Sequence, residues 1–216
     1  LNRAEQLKIH EIFHSLQGES NLVGLPTVFV RLTGCPLRCT WCDTEYAFHG
    51  GQWQSYGEIL EQVKQHNTPY VCVTGGEPLA QKRVHGLLDL LVDEGFTVSL
   101  ETAGSISVEQ VNPAVLKVVD MKAPGSGEVS KNHYPNLSLL TAKDQVKFVI
   151  ADKQDYQWSK DLINEYQLQQ RCQVLMSPVA DGLPAKDLAD WILQDQLPVR
   201  FQIQLHKQLW GDTPGT

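Results

Sequence analysis

Long apolar runs are missing from this 216-residue chain: none approaches the roughly 18 residues that a membrane span requires. The N-terminal stretch 1–13 carries Glu5 and Glu11 where a signal peptide needs an unbroken apolar segment, so the cytoplasm is the expected compartment. A surplus of positive charge is also lacking. With 25 acids against 18 bases the formal net charge is -7, the wrong sign for coating nucleic acid or an anionic membrane, and neither is an expected partner. There is no low-complexity tract and no internal repeat. At 42 % hydrophobic residues the chain can close a sizeable core, which excludes disorder as the main state.

A paired set of cysteines is absent too. The five thiols are odd in number and uneven in spacing, with Cys35, Cys39 and Cys42 within eight residues and Cys72 and Cys172 far downstream, which is no disulfide framework. In a reducing compartment such a tight group binds a metal or cluster, because the thiolate is a soft ligand. Cys72 and Cys172 sit in apolar strand-like stretches and read as small packing side chains.

What is present is alternation. Residues 27–33 are β-branched and alternating, and they end at Gly34 just before the cysteines. Ser55 and Glu58 form a capping box ahead of Ile59, Leu60 and Val63 at helical spacing. Strands follow at 70–73, 97–100, 117–120, 145–150, 173–176 and 200–205. Between them lie helices marked by Val84, Leu87, Leu88 and Leu91, by a short turn near Val108, by Trp158, Leu162 and Tyr166, and by Leu188, Trp191 and Ile192 after Pro184. Repeated β/α units without a polar linker imply one α/β domain over 1–216. The expected architecture is a partial, incomplete TIM-like barrel of about six parallel strands, too few to close. Ligands collect at the strand C-termini of such folds, and the distinctive polar residues fall there.

Three cysteines leave one position of a four-iron cluster open to a non-protein ligand. The rival is a non-catalytic zinc module of Cys3His type with His49 as fourth ligand. Cys35-x3-Cys39-x2-Cys42, with Trp41 before the last thiol and Gly75-Gly76-Glu77-Pro78 one strand later, resembles the radical S-adenosylmethionine (SAM) superfamily. The resemblance implies a [4Fe-4S] cluster whose free iron binds SAM, giving a 5'-deoxyadenosyl radical that takes a hydrogen atom from substrate.

Finer matches narrow this further. His14-Ser15-Leu16-Gln17-Gly18-Glu19-Ser20, Arg31, Cys42-Asp43-Thr44 and the ending Gln204-Leu205-His206-Lys207-x-Leu209-Trp210-Gly211 are similar to the 7-carboxy-7-deazaguanine synthase family. That family ring-contracts 6-carboxy-5,6,7,8-tetrahydropterin with loss of ammonia on the route to queuosine, assisted by magnesium, as a homodimer supplied by a flavodoxin- or ferredoxin-type reductant. A glycyl-radical activase shares the cysteine spacing, but the Leu16–Glu19 segment and Arg31 favour a small substrate.

Carried onto this chain, the resemblance implies cluster ligation by Cys35, Cys39 and Cys42. It implies SAM contacts from Trp41, Asp43, Gly75, Gly76, Glu77, Asp120, Met121 and Lys122, and from the loop Ser177, Pro178, Val179 and Ala180. Thr44 offers a hard oxygen to magnesium. Leu16, Gln17 and Gly18 in an N-terminal substrate segment 10–26, with Arg31 and Thr74, would meet the pterin; the planar fork of Arg31 suits a carboxylate. On the last strand Phe201, Ile203 and Leu205 share one face and Gln202, Gln204 and His206 the other. His206 would then reach substrate, and a closing tail 200–216 would bring in the Thr216 carboxylate.

Overall fold

The computed structural model describes residues 5–180, 182–211, 213 and 215. Its centre is one nine-stranded sheet in the order β3-β1-β2-β4-β5-β6-β7-β8-β9. From β2 (Pro26–Leu32) the sheet runs parallel through β4 (Tyr70–Gly75), β5 (Thr97–Thr102), β6 (Leu116–Met121), β7 (Gln145–Ile150), β8 (Gln173–Pro178) and the short β9 (Arg200–Phe201). Antiparallel β1 (Gln6–Leu16) and β3 (Gln52–Ser55) extend the other edge. The sheet stays open, with seven parallel strands where about six were expected.

Strand alternation divides the sheet into two faces. Val28, Val30 and Leu32, Val71 and Val73, Val146, Phe148 and Ile150 are all fully buried beneath the covering helices. Those helices are α1 (Tyr56–Lys64), α2 (Val84–Asp93), α4 (Lys153–Glu165) and α5 (Ala185–Gln194); α3 (Asn136–Leu139) is a single turn. α1 starts at the Ser55–Glu58 capping box, with the Glu58 amide donating to Ser55 Oγ and the Ser55 amide to Glu58 Oε2. The opposite face carries Phe29 and Arg31, Cys72 and Thr74, Ser99 and Glu101, Val118 and Asp120, Gln145 and Lys147 in lateral register. Cys72 is packed within that layer and Cys172 within the helix-side core.

Two sequence expectations are corrected. The strand expected at 200–205 ends at Phe201, and the chain turns into α6 (Leu205–Trp210). The cause lies outside the segment: Ser20 N–H donates to Gln202 Oε1 at 3.1 Å and Leu205 N–H to Gly18 O at 3.0 Å, diverting the chain onto the loop 17–25. The helical turn near Val108 is one hydrogen-bonded turn, Val111 N–H to Val108 O.

β1 and β3 were not anticipated. A β-bulge between Ile9 and Glu11 breaks the alternation of β1, so no single period-2 pattern runs along it.

Candidate active site

The C-terminal ends of β2, β4, β5, β6, β7 and β8 enclose a cavity of about 670 Å³, within the usual range for small-molecule sites. Cys35, Cys39 and Cys42 line it from the loop after β2. This loop is braced on two sides. The Thr40 amide and hydroxyl both donate to Ser126 O, and the Glu77 amide donates to Gly34 O at 2.9 Å. A Cβ at Gly76 would stand 2.6 Å from Cys35 Cβ and closer still to Gly34 O. Gly76 therefore permits close approach to the cysteine loop and Gly75 to the Leu32 backbone at the end of β2, besides lining the cavity.

All three thiols are partly buried, and burial pushes their pKa up, that of Cys39 to about 11. The Lys122 ammonium opposes this at each of them. Lys122 is itself held 2.8 Å from Asp120 Oδ2. Burial lowers its pKa, but the charges of Asp120 and Cys39 outweigh that and raise it. Asp120 Oδ1 and Ser177 Oγ are buried with no hydrogen-bond partner among the described residues, as expected of polar atoms awaiting a ligand.

Among the described residues no three His, Cys, Asp or Glu side chains converge on a single ion, and His49 is exposed outside the cavity wall. Three soft thiols with no fourth donor among the described residues suit an iron-sulfur cluster with one open iron better than a closed zinc site.

Of the residues expected to meet SAM, Trp41, Asp43, Gly75, Gly76, Asp120, Lys122, Ser177, Pro178 and Ala180 line the cavity. Glu77, Met121 and Val179 do not. Met121 follows Asp120 on β6, so alternation turns it into the helix-side core, where it is fully buried. The Glu77 carboxylate is fully buried and accepts from Leu79 N–H at 2.8 Å, Thr102 Oγ1 at 2.8 Å and Ala103 N–H at 2.7 Å. It ties the ends of β4 and β5 together. Burial raises its pKa against those hydrogen bonds.

Asp43 accepts from Thr44 Oγ1 at 2.8 Å and Gln204 Nε2 at 3.0 Å. Burial raises its pKa, but these bonds and the charges of Lys147 and Lys207 outweigh it and hold the group below the ordinary aspartate value. The residue after the last cluster thiol is thus tied to the C-terminal segment.

The residues expected to meet substrate, Leu16, Gln17, Gly18, Arg31, Thr74 and His206, also line the cavity, while Thr216 lies outside the described residues. His206 reaches it from α6 and packs so closely on Gly18 that a Cβ there would overlap its Nδ1. Burial lowers its pKa.

Sequence reasoning set Glu101 among the polar residues at the strand ends without giving it a role, and passed over Lys147; both lie on the cavity face. Glu101 accepts from Gln17 Nε2 at 3.3 Å and Thr74 Oγ1 at 3.1 Å, and burial followed by the charge of Glu19 raises its pKa. Lys147 pairs with Glu19 at 2.6 Å. Each is the lone charge in its strand, as Arg31 is in β2.

The Radical SAM superfamily model matches residues 29–188, which embrace the cysteine loop and the strands from β4 to β8. The fold agrees: QueE from Escherichia coli superposes with a TM-score of 0.77 at 24 % identity, covering 93 % of this chain and 95 % of that one. 7-Carboxy-7-deazaguanine synthase of Chlorobaculum tepidum is 42 % identical over 208 residues, 95 % of this chain and 94 % of that protein. Its counterpart in Koribacter versatilis is 42 % identical over 226 residues, 97 % of this chain and 99 % of that protein. The chain belongs to the 7-carboxy-7-deazaguanine synthase family of radical SAM enzymes. A [4Fe-4S] cluster and SAM are accordingly its cofactors, and the zinc module and the activase are set aside.

Proposed function

We propose that this enzyme converts 6-carboxy-5,6,7,8-tetrahydropterin to 7-carboxy-7-deazaguanine with loss of ammonia, in 7-deazapurine and queuosine biosynthesis. The carrying observation is that three thiols, orphan polar atoms and an arginine fork open on one cavity. Cys35, Cys39 and Cys42 hold the cluster. With SAM bound, the cluster would supply radical chemistry that removes a hydrogen atom from the substrate. Trp41, Asp43, Gly75, Gly76, Asp120, Lys122, Ser177, Pro178 and Ala180 seat SAM, with Asp120 Oδ1 and Ser177 Oγ as open acceptors. Glu77, Met121 and Val179 support them from behind.

Leu16, Gln17, Gly18, Thr74 and His206 surround the pterin, and Arg31 meets its carboxylate. Gln17 offers both a donor and an acceptor, as a pterin edge requires. The segment 10–26 forms one wall and the described residues of the segment 200–216 the cover. Thr44, which lines the cavity, would hold Mg²⁺ through its hydroxyl oxygen. The chain works as a single domain over 1–216, in the cytoplasm, as a homodimer reduced by a flavodoxin- or ferredoxin-type protein. No described helix is long and apolar enough to cross a membrane.

Anaerobic incubation of reconstituted protein with carboxytetrahydropterin, SAM and reductant is the test. The deazaguanine product is expected, with four irons per chain; no product from iron-loaded protein overturns the assignment. Thr44→Ala is expected to change the Mg²⁺ dependence, and an unchanged dependence removes Thr44 from the metal.

A further inference from the structure

Arg31 is presented to the cavity by a device spread over two strands. Its guanidinium is largely enclosed, with 15 % of the side chain accessible, and Nε donates to Glu11 Oε1 at 2.7 Å. The group lies 5.5 Å from the Phe13 ring centroid and 5.8 Å from that of Tyr46. The Tyr46 hydroxyl donates to the same Glu11 oxygen at 3.0 Å. Nε is therefore committed and two rings confine the plane. The terminal nitrogens Nη1 and Nη2 have no hydrogen-bond partner among the described residues.

Glu11 occupies this position only because β1 is bulged. Ile9 stands opposite Leu32 and Glu11 opposite Arg31, so two steps along β1 match one step along β2. Ile9 lies on the helix-covered face with Leu32. In a regular strand Glu11 would share that apolar face, where an unpaired carboxylate is costly. The extra residue, His10, turns Glu11 and Phe13 onto the cavity face, beside Arg31 and Phe29.

We propose that Glu11 is a positioning residue: it fixes the Arg31 guanidinium through Nε so that its two terminal nitrogens form a preset fork for the substrate carboxylate. This rests on the substrate reading above. The two-toothed end of a guanidinium matches a carboxylate in plane, and holding Nε removes the rotation that binding would otherwise have to freeze.

Positioning and simple electrostatics predict opposite signs. Removing a negative charge beside an anion site should tighten anion binding on Coulomb grounds alone, whereas loss of a positioning group should loosen it. The experiment uses reconstituted holoenzyme with SAM, comparing 6-carboxytetrahydropterin as substrate with 6-methyltetrahydropterin, which lacks the carboxylate, as competitive inhibitor. Glu11→Ala is expected to raise KM about tenfold with kcat within about twofold, and Glu11→Gln, which keeps an acceptor for Nε, to raise KM only about threefold. Inhibition by the 6-methyl compound should not change. In an Arg31→Met background Glu11→Ala should add nothing.

Tighter or unchanged substrate binding in both Glu11 variants overturns the proposal. So does equal weakening toward both pterins, the mark of a general structural role. Failure of the substrate reading is separate: wild-type holoenzyme would then turn over no carboxytetrahydropterin, and both conclusions would fall.

Discussion

Gly76→Ala probes how the turn after β4 braces the cysteine loop. A Cβ at Gly76 would lie 2.6 Å from Cys35 Cβ, against the 3.4 Å at which ordinary contact begins, so the loop must retreat by about 0.8 Å. The Glu77 N–H to Gly34 O bond, 2.9 Å long, would then stretch to about 3.7 Å, beyond hydrogen-bond range. Overpacking costs about 1–3 kcal/mol and the lost bond about 0.5–1.5 kcal/mol, together some 2–4 kcal/mol. For a chain of this size that is a fall in melting temperature of roughly 5–15 °C. The assay is circular-dichroism melting of the iron-free chain, followed by iron content after anaerobic reconstitution, which should drop because Cys35 is displaced. Gly57→Ala is the control: nothing lies within 4 Å of a Cβ there, on α1, so its stability should be equal or slightly higher. A Gly76→Ala chain that melts with the wild type and takes up full iron would refute the brace.

At Gly18, alanine would overlap the His206 imidazole; Gly18→Ala should lower the melting temperature in the wild-type background and not in His206→Ala, and equal effects in both would show that the two do not meet. Asp144 is fully buried and accepts from Lys117 N–H, Thr141 N–H and Thr141 Oγ1 while pairing with Lys117 Nζ at 3.1 Å. Asp144→Ala should cost about 3–5 kcal/mol by urea unfolding, since it strands a buried ammonium. Burial raises the Asp144 pKa, but the hydrogen bonds from Lys117 and Thr141 outweigh it and hold the value below the ordinary 3.8. Its contribution is therefore complete above that pH and lost as pH falls through the folded value. Wild type and variant should converge in stability on acidification, and a constant difference down to pH 2 would contradict this.

The C-terminal segment links parts of the site that are distant in sequence. Gln202 caps the Ser20 amide, Leu205 N–H bonds Gly18 O, and Gln204 bonds Asp43 next to Cys42. One short stretch thus touches both the substrate wall and the cluster loop. Displacement of α6 would be felt at both.

The amino-acid sequence by itself determined the β/α order, the three-thiol loop at a strand end and most of the cavity lining. The first two depend on local signals, namely period-2 and helical patterning, the Ser55–Glu58 capping box and cysteine spacing within eight residues, whereas the lining residues followed from the resemblance of their motifs to the family. Tertiary structure decided what depends on faces and on distant partners. One step of alternation separates Asp120, in the cavity, from Met121, in the core. The Glu77 carboxylate accepts from Thr102 and Ala103, partners on the neighbouring strand end that no local pattern announces. The strand expected through Leu205 gave way to α6 because its hydrogen-bond partners lie near Gly18 and Ser20, some 180 residues earlier. The bulge that turns Glu11 toward Arg31 leaves no local mark beyond a broken period, since a register shift is defined only by the strand alongside.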